Sequence, residues 1–412
     1  MSVVKRAPAR RSREGGNSCD TAGQGGVNQR EYQDRRAGRY ALREGARALT
    51  TLKNLRLCGY AMTSVAECVD VRLDAQGRAF VTGVQTCSSV HACPVCSAAI
   101  REKRARQVEG VSTRVLRDGG SVVFVTLTAS HSRSDRLEVL LPQLAGAWHD
   151  LTSNRRWRSA PGLRGFVKTT EITDGFPNGW HPHLHALVFF DQVLDAAQLA
   201  DFAAYVTESW SRSMEHVGRD VNEHGVRVQR IRLVAGRADV GEYLAKVQDG
   251  YGMTRSVGRE MTRTDLKKGR RYNRFSPFEL LDMATHGDVR ARARWLEYEQ
   301  ATKGRRCLEW ARSDWLKLLR DLVGDGDQED NAEATGPGHS VAELTRDEWL
   351  LIARYKRQAQ LLTAAERQGL AGVLELLRAL RARDQYELAR AARRRPRSRA
   401  VSGRPAVHLA DH

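Results

Sequence analysis

The clearest capacity for chemistry in this 412-residue chain lies in His183-Leu184-His185. Alternate residues of a strand point to one face, so two imidazoles at i and i+2 stand side by side and can share an ion, while Leu184 turns to the core. Two imidazoles leave a metal under-coordinated. Glu171 is the expected third ligand, because it lies on the preceding strand pattern, which folds back through the turn at Asn178-Gly179. Two nitrogens, one carboxylate and open positions suit Mg²⁺ or Mn²⁺ that must also grip a phosphate. His181 is a substitute ligand ranked below Glu171, since Pro182 is expected to bend the chain where the strand starts. A pair of ordinary hydrogen-bonded sheet histidines is the competing explanation, and the upstream glutamate weighs against it.

A second constellation is Asp239-Val-Gly-Glu242-Tyr243-Leu-Ala-Lys246. A helix over Ala238 to Val247 places Asp239, Tyr243 and Lys246 on one face, beside an apolar face of Val240, Leu244 and Val247. A phenol with a pKa near 10 is a weak nucleophile. It attacks phosphorus only with a metal-polarised phosphate or a neighbouring cation, which Lys246 supplies. Alone, this motif reads more readily as a tyrosine packed at a core boundary. The His-x-His strand upstream reverses that weighting.

The third set is cysteine. Cys93-Pro-Val-Cys96 has the knuckle spacing that lets two thiolates bind one ion, Cys87 lies just upstream, and Leu57-Cys58-Gly59 offers a fourth ligand on another turn. Four thiolates imply structural zinc, with Cys68 and His91 as competitors for the fourth position. A redox Cys-x-x-Cys fits less well, because no thioredoxin-like strand and helix surround it.

These residues need elements to hold them. Val69–Leu73 and Ala79–Gly83 read as two short strands around a turn, and Ala98–Val111 as a basic helix. Ser121–Thr128, Gly165–Ile172, His183–Phe190 and Val226–Val234 have strand patterns, the second and third forming a hairpin; Leu137–Ser153 and Leu194–Ser213 have helical spacing. Hairpins interleaved with helices indicate an α+β fold, an antiparallel sheet with flanking helices. The expected division is a disordered basic arm over 1–45, a zinc-binding module over 46–111, the main α+β domain over 112–260 and its helical extension over 261–322. An acidic, glycine-containing linker over 323–340 follows, then a helical segment over 341–389 and a basic disordered tail over 390–412. Thr345-Arg-Asp-Glu348 and Thr363-Ala-Ala-Glu366 have capping-box spacing.

Lys and Arg number 67 against 49 Asp and Glu, a formal net charge of +18. That excess favours a polyanionic partner, though it names a substrate class and not an activity. Arg101 and Arg104 on the basic helix, and Arg155, Arg156 and Arg158 around Trp157, are the expected DNA-binding residues. No apolar run is long enough to span a membrane and no signal-type stretch opens the chain, so the expected location is the cytoplasm.

Taken in order, Leu57-Cys-Gly, Cys87 to Cys96, Phe124-Val-Thr-Leu-Thr128, Glu171-Ile-Thr with Gly179-Trp-His-Pro-His-Leu-His185, and Tyr243-Leu-Ala-Lys246 resemble the replication initiators of rolling-circle plasmids, within the HUH endonuclease superfamily. The likeness spans roughly Leu57 to Leu318. It implies an HUH-type nuclease core in which Tyr243 attacks a phosphodiester of single-stranded or cruciform plasmid origin DNA, forming a 5′-phosphotyrosyl link and freeing a 3′-hydroxyl. A host helicase and polymerase are the further partners it implies. Asp239, one helical turn before the tyrosine, takes the place of a carboxylate that activates water for the terminating cleavage, with Glu242 as the alternative. An HUH transposase or relaxase and a non-catalytic zinc-containing DNA-binding regulator are the competing functions.

Overall fold

The computed structural model describes residues 29–175, 178–234, 237–239, 274–323 and 338–394. The first described element is a helix, α1 (Gln29–Leu49), where the sequence pattern predicts a disordered arm up to residue 45. Its buried face is Gln33, Arg36, Arg43 and Ala46. Three of those four are polar, so no apolar stripe betrays the helix. Arg36 is instead satisfied by Glu366, with Nη1 2.5 Å from Oε1 and Nη2 2.8 Å from Oε2. Such a forked pair is a strong, directional tie.

After α2 (Lys53–Leu57) come β1 (Val69–Asp74), β2 (Ala79–Thr82) and α3 (Pro94–Arg117). The central sheet is built from β3 (Ser121–Leu127), then, past α4 (Leu137–Ser153) and α5 (Arg155–Arg158), the long hairpin β4 (Leu163–Gly175) and β5 (Gly179–Phe190). Helix α6 (Ala196–Glu215) leads to β6 (Val226–Arg230), and a separate small hairpin follows, β7 (Arg232–Val234) with β8 (Arg237–Asp239). Next come β9 (Arg274–Phe275), α7 (Pro277–Thr285), α8 (Val289–Ala301), β10 (Glu309–Trp310) and α9 (Asp314–Leu322). The last elements are β11 (Gly338–Leu344), α10 (Arg346–Arg354) and α11 (Gln358–Arg394).

Strand order in the central sheet is β10-β4-β5-β3-β6, with β9 paired to the end of β4, and every pairing is antiparallel. Alternation sorts the side chains. Val123, Val125, Leu184, Ala186 and Val188 face α4 and α6, while Phe124, Val167, Leu187 and Phe189 pack in the core shared with α3 and α7–α9. The fold is α+β with antiparallel sheets. Among the described residues no helix is long and apolar enough to cross a membrane.

Residues 46–111 divide between two hydrophobic cores. Strands β1 and β2 join β11 in a second sheet, order β11-β1-β2, and share a core with Trp349, Ile352, Leu361 and Leu377 of α10 and α11. Cys58, Cys93 and Cys96 belong instead to the large core beneath the central sheet. The pairing Val69↔Leu344 spans most of the chain, and local patterning carries no sign of a partner so distant. The expected linker ends early, with Gly338 already in β11, and the helix enters the expected tail as far as Arg394.

Of the two capping boxes, Thr345 with Glu348 forms. Thr363 with Glu366 does not. Thr363 lies within α11 and donates to Ala359 O, while the Glu366 carboxylate accepts from Arg36, Gln33 and the Ala79 N–H. The break in α11 comes at Gly369, where φ is +58°.

Candidate metal and nucleophile site

The β4–β5 ladder sets Glu171 opposite His183 and Thr169 opposite His185. This is the face the spacing predicts. His185 is buried, stacks on Phe124 with ring centroids 5.4 Å apart, and has Nδ1 3.1 Å from Thr126 Oγ1 and Nε2 3.1 Å from Glu171 Oε2. His183 stands between neighbours, its ring 3.9 Å from that of His181 and 6.1 Å from that of His185, and its buried Nδ1 has no hydrogen-bond partner. Burial pushes the His183 imidazole well below its ordinary pKa, and His181 and His185 push it further the same way. A neutral ring with an unpartnered nitrogen is the form that ligates a cation. Yet Glu171, His183 and His185 are not drawn into a closed cluster: among the described residues only the four cysteines bring three or more ligand atoms within 4.8 Å of one another.

Two features differ from the sequence-based expectation. Pro182 does not bend the chain; it lies inside β5, paired with Ile172, so His181 continues the same face as His183. Pairing with β3 ends at Leu127↔Leu184, which leaves Gly179 to His183 with β4 alone as a ladder partner. A proline is tolerated on such an edge. The other feature is His131, from the loop after β3, which hydrogen-bonds through Nε2 to His181 Nδ1 and through Nδ1 to Asn178 O at 3.2 Å. Burial, then the neighbouring His131, push the His181 imidazole down to about 3. Only its place three residues beyond Thr128 could have marked His131 out.

The hairpin tip is fixed by two devices. Gly179 has φ +78°, and a Cβ there would sit 2.9 Å from Arg133 Cα and 3.0 Å from Ser132 O, so the turn packs directly on the loop that carries His131. Asp174, fully buried, accepts from Arg294 at 2.9 and 2.5 Å and pairs with Arg290 at 3.3 Å. The Arg294 guanidinium lies 4.1 Å from the centroid of the Trp180 ring.

Tyr243, Lys246 and Glu242 lie outside the described residues. Asp239 is described, and it is not helical: Arg232↔Asp239 and Val234↔Arg237 pair as an antiparallel ladder. Extended backbone up to residue 239 removes the i, i+4 spacing that would align Asp239 with Tyr243 on one helix face.

The fold brings together the four cysteines that the spacing singles out. The sulfurs of Cys58, Cys87, Cys93 and Cys96 lie within 4.8 Å of one another, with Cys58–Cys96 at 3.5 Å, Cys87–Cys96 at 3.7 Å and Cys58–Cys93 at 3.8 Å. A tetrahedral ion with sulfur at about 2.3 Å requires edges of about 3.8 Å, and a disulfide would need about 2.05 Å. The set could hold a metal. Hydrogen bonds from Cys87, then Cys93 and Cys96, push the Cys58 thiol far down, while their bonds with it push Cys87 and Cys96 up. Arg43 of α1 is buried close enough to favour the Cys58 thiolate, and Arg47 donates to Cys58 O. The competitors fall away: His91 bonds Tyr298 at 3.1 Å, and Cys68 is not in the cluster.

The expected DNA-contacting arginines divide. Arg101 is buried, with Nε bonded to Ser97 Oγ at 3.0 Å and Nη1 3.7 Å from Cys307 Sγ, so it is removed from the exposed set. Helix α3 turns that side chain inward to the core. Arg104 is half-buried and bonds Gln107. Arg155, Arg156 and Arg158 are exposed, but Trp157 beside them packs on Phe166 and Phe202, near where Leu163 pairs with Phe190. That is the far end of the hairpin from His183.

Comparison with known proteins places the chain. A family model described as "Replication protein" matches residues 78–361, more than half of the sequence. The chain belongs to the Rep family of plasmid replication initiators. It is similar to "Protein rep" of Streptomyces lividans, 29% identical over 366 residues that cover 72% of this chain and 79% of that protein. It is also similar to "Protein rep" of Lentilactobacillus hilgardii, 25% identical over 235 residues, 54% of this chain and 70% of the relative. A shorter likeness, 30% over 141 residues, covers 28% of this chain and 32% of a "Neomycin resistance protein" of Streptomyces cyanogenus. The matched span of this Rep-family member takes in three of the four cysteines, the histidine face and both strands of the hairpin.

Proposed function

We propose that this chain starts rolling-circle replication by nicking and rejoining single-stranded origin DNA through Tyr243, in the manner of an HUH endonuclease. One observation carries the reading: Glu171 stands opposite His183, and His183 and His185 share its face of the sheet. In the proposed step the Tyr243 oxygen bonds to phosphorus as the bond to the 3′-oxygen breaks. The phenolic proton is balanced by the one taken up on the departing 3′-hydroxyl.

Mg²⁺ or Mn²⁺, held by His183, His185 and Glu171, would polarise the scissile phosphate and stabilise the leaving oxygen. For that, Glu171 must exchange its bond to His185 Nε2 for the ion. Lys246 is assigned to the developing charge on the tyrosine. Asp239 lies in the β7–β8 hairpin, so Glu242 is the acid to test for water activation at termination. The cysteine cluster is assigned structural zinc, and its fit to a tetrahedron supports that choice. Arg155, Arg156 and Arg158 are assigned to DNA outside the nicking point. The test is nicking of an origin oligonucleotide with Mn²⁺: Tyr243→Phe and His183→Ala each abolish it, and undiminished cleavage by either variant overturns the assignment.

A further inference from the structure

A groove of about 1340 Å³ is bordered by Leu55, Val90, Ala92 and Leu308 of the large core, and none of the three histidines of β5 lines it. Its walls are the start of α2, the loop Cys87–Ala92, the turn after α8 and the segment from β10 into α9. Eight Lys or Arg line it against two carboxylates. One of the two, Glu299, is turned inward, fully buried and accepting from Thr50 Oγ1 at 2.5 Å and the Thr51 N–H at 3.0 Å. Lys53, Lys303, Arg306, Arg312 and Lys317 are exposed, and among the described residues none of them is ion-paired to a carboxylate. Like charges that line one groove repel one another, and a polyanion relieves the repulsion.

The walls are rigid. Cys87 belongs to the cysteine cluster, His91 is tied to Tyr298, and β10 is hydrogen-bonded to β4 at Glu309↔Lys168. Ser88, on the groove wall, has φ +46°, a left-handed conformation that a non-glycine residue adopts only where the surroundings hold it. A groove with a preformed wall and exposed cations along it suits a nucleic-acid backbone.

We propose that this groove is a second DNA-binding site, separate from the nicking centre, which holds the sugar-phosphate backbone of origin DNA flanking the cut. The proposal rests on the chain acting on DNA as a replication initiator, but it does not depend on Tyr243 chemistry. The cysteine cluster then has a function beyond stability: it fixes the Cys87–Ala92 wall.

The experiment compares the full chain with K303Q/R306Q/K317Q, and with R378Q/R381Q/R383Q on α11 as an equal change of net charge. Anisotropy titrations at several salt concentrations use a single-stranded and a duplex 30-mer of origin sequence. Each phosphate that the protein ceases to neutralise flattens the log–log salt slope by about 0.9 on duplex and 0.7 on single strand, so the groove variant should lose roughly 2–3 from the slope with one of the probes. The probe affected tells whether the groove holds the displaced strand or the flanking duplex. Cleavage of a short oligonucleotide at saturating concentration should be unchanged. An unaltered slope with both probes, or an equal loss in the α11 variant, overturns the proposal. A second measurement needs no variant: on the unaltered protein, DNA should protect Lys303 and Lys317 from amine modification, and equal modification with and without DNA overturns the proposal. If the groove variant loses binding while the unaltered protein fails to nick, the groove stands and the nuclease reading falls.

Discussion

Glu171 stands opposite His183 in the β4–β5 ladder, yet its carboxylate reaches diagonally to His185, with Oε2 3.1 Å from Nε2. The register sets Glu171 opposite His183 and the hydrogen bond joins its carboxylate to His185, so in the proposed metal site Glu171 is the residue that supplies negative charge. Glu171→Gln keeps the shape and a hydrogen bond but removes the charge. It should weaken Mn²⁺ binding by at least the order of 10–100-fold seen when groups supporting a metal site are removed, measured by calorimetry, with little change in the melting profile. Unchanged Mn²⁺ affinity would exclude Glu171 as a ligand.

The tip of the hairpin depends on a buried charge pair. Asp174 has no exposure and is met by Arg294 and Arg290. Removing one partner of a buried pair strands the other charge, at a cost of about 3–5 kcal/mol. Arg294→Ala should lose about that much in urea unfolding, and Arg294→Lys should restore only part of it, since an ammonium cannot make two bonds to Asp174 and lie flat over Trp180. A loss under about 1 kcal/mol would mean the pair is dispensable.

Much of this arrangement was legible in the sequence, and the misses have physical causes. The strand alternation and the turn at Asn178-Gly179 gave the hairpin, and the spacing of Leu137–Ser153 gave α4 to the residue. The cysteine spacing pointed to the four sulfurs that the fold brings together, because knuckle geometry is local. Helix α1 was hidden because its buried face is polar and balanced by Glu366, more than 300 residues away. Arg101 looked like a surface cation because composition does not say which way a helix turns. Asp239 was misplaced because three residues of a short hairpin have no periodicity of their own and sit beside a strong helical pattern. His131 carried no motif, and only the folding of its loop onto Gly179 brings it to His181.

That packing of loop on turn gives a backbone prediction. Gly179→Ala forces a side chain into positive φ and within 2.9 Å of Arg133 Cα. Left-handed strain costs on the order of 1–3 kcal/mol, and the displaced loop would carry His131 away from His181. Lowered stability by denaturant titration, with altered His131 and His181 imidazole resonances, is the expected outcome. A variant that melts like the unaltered protein and keeps those resonances would show that the turn tolerates a Cβ.

The cysteine cluster predicts a metal that survives purification. Elemental analysis should find zinc at one equivalent per chain, absent from Cys58→Ser, and a strong chelator should lower the melting temperature of the unaltered protein, because a bound metal ion adds its binding free energy to the folded state. Cys68→Ser, outside the cluster, should retain the full equivalent. Loss of zinc from both variants, or from neither, would contradict the assignment.

The central claim is that a tyrosine becomes covalently bound to DNA. The most direct measurement is mass spectrometry of the peptide carrying the label after the chain is incubated with Mn²⁺ and a single-stranded origin oligonucleotide labelled on the 3′ side of the nick. The account predicts one adduct, a 5′-phosphotyrosyl link at Tyr243, absent from Tyr243→Phe and from His183→Ala. An adduct at another residue, or cleavage with no covalent intermediate, would contradict it.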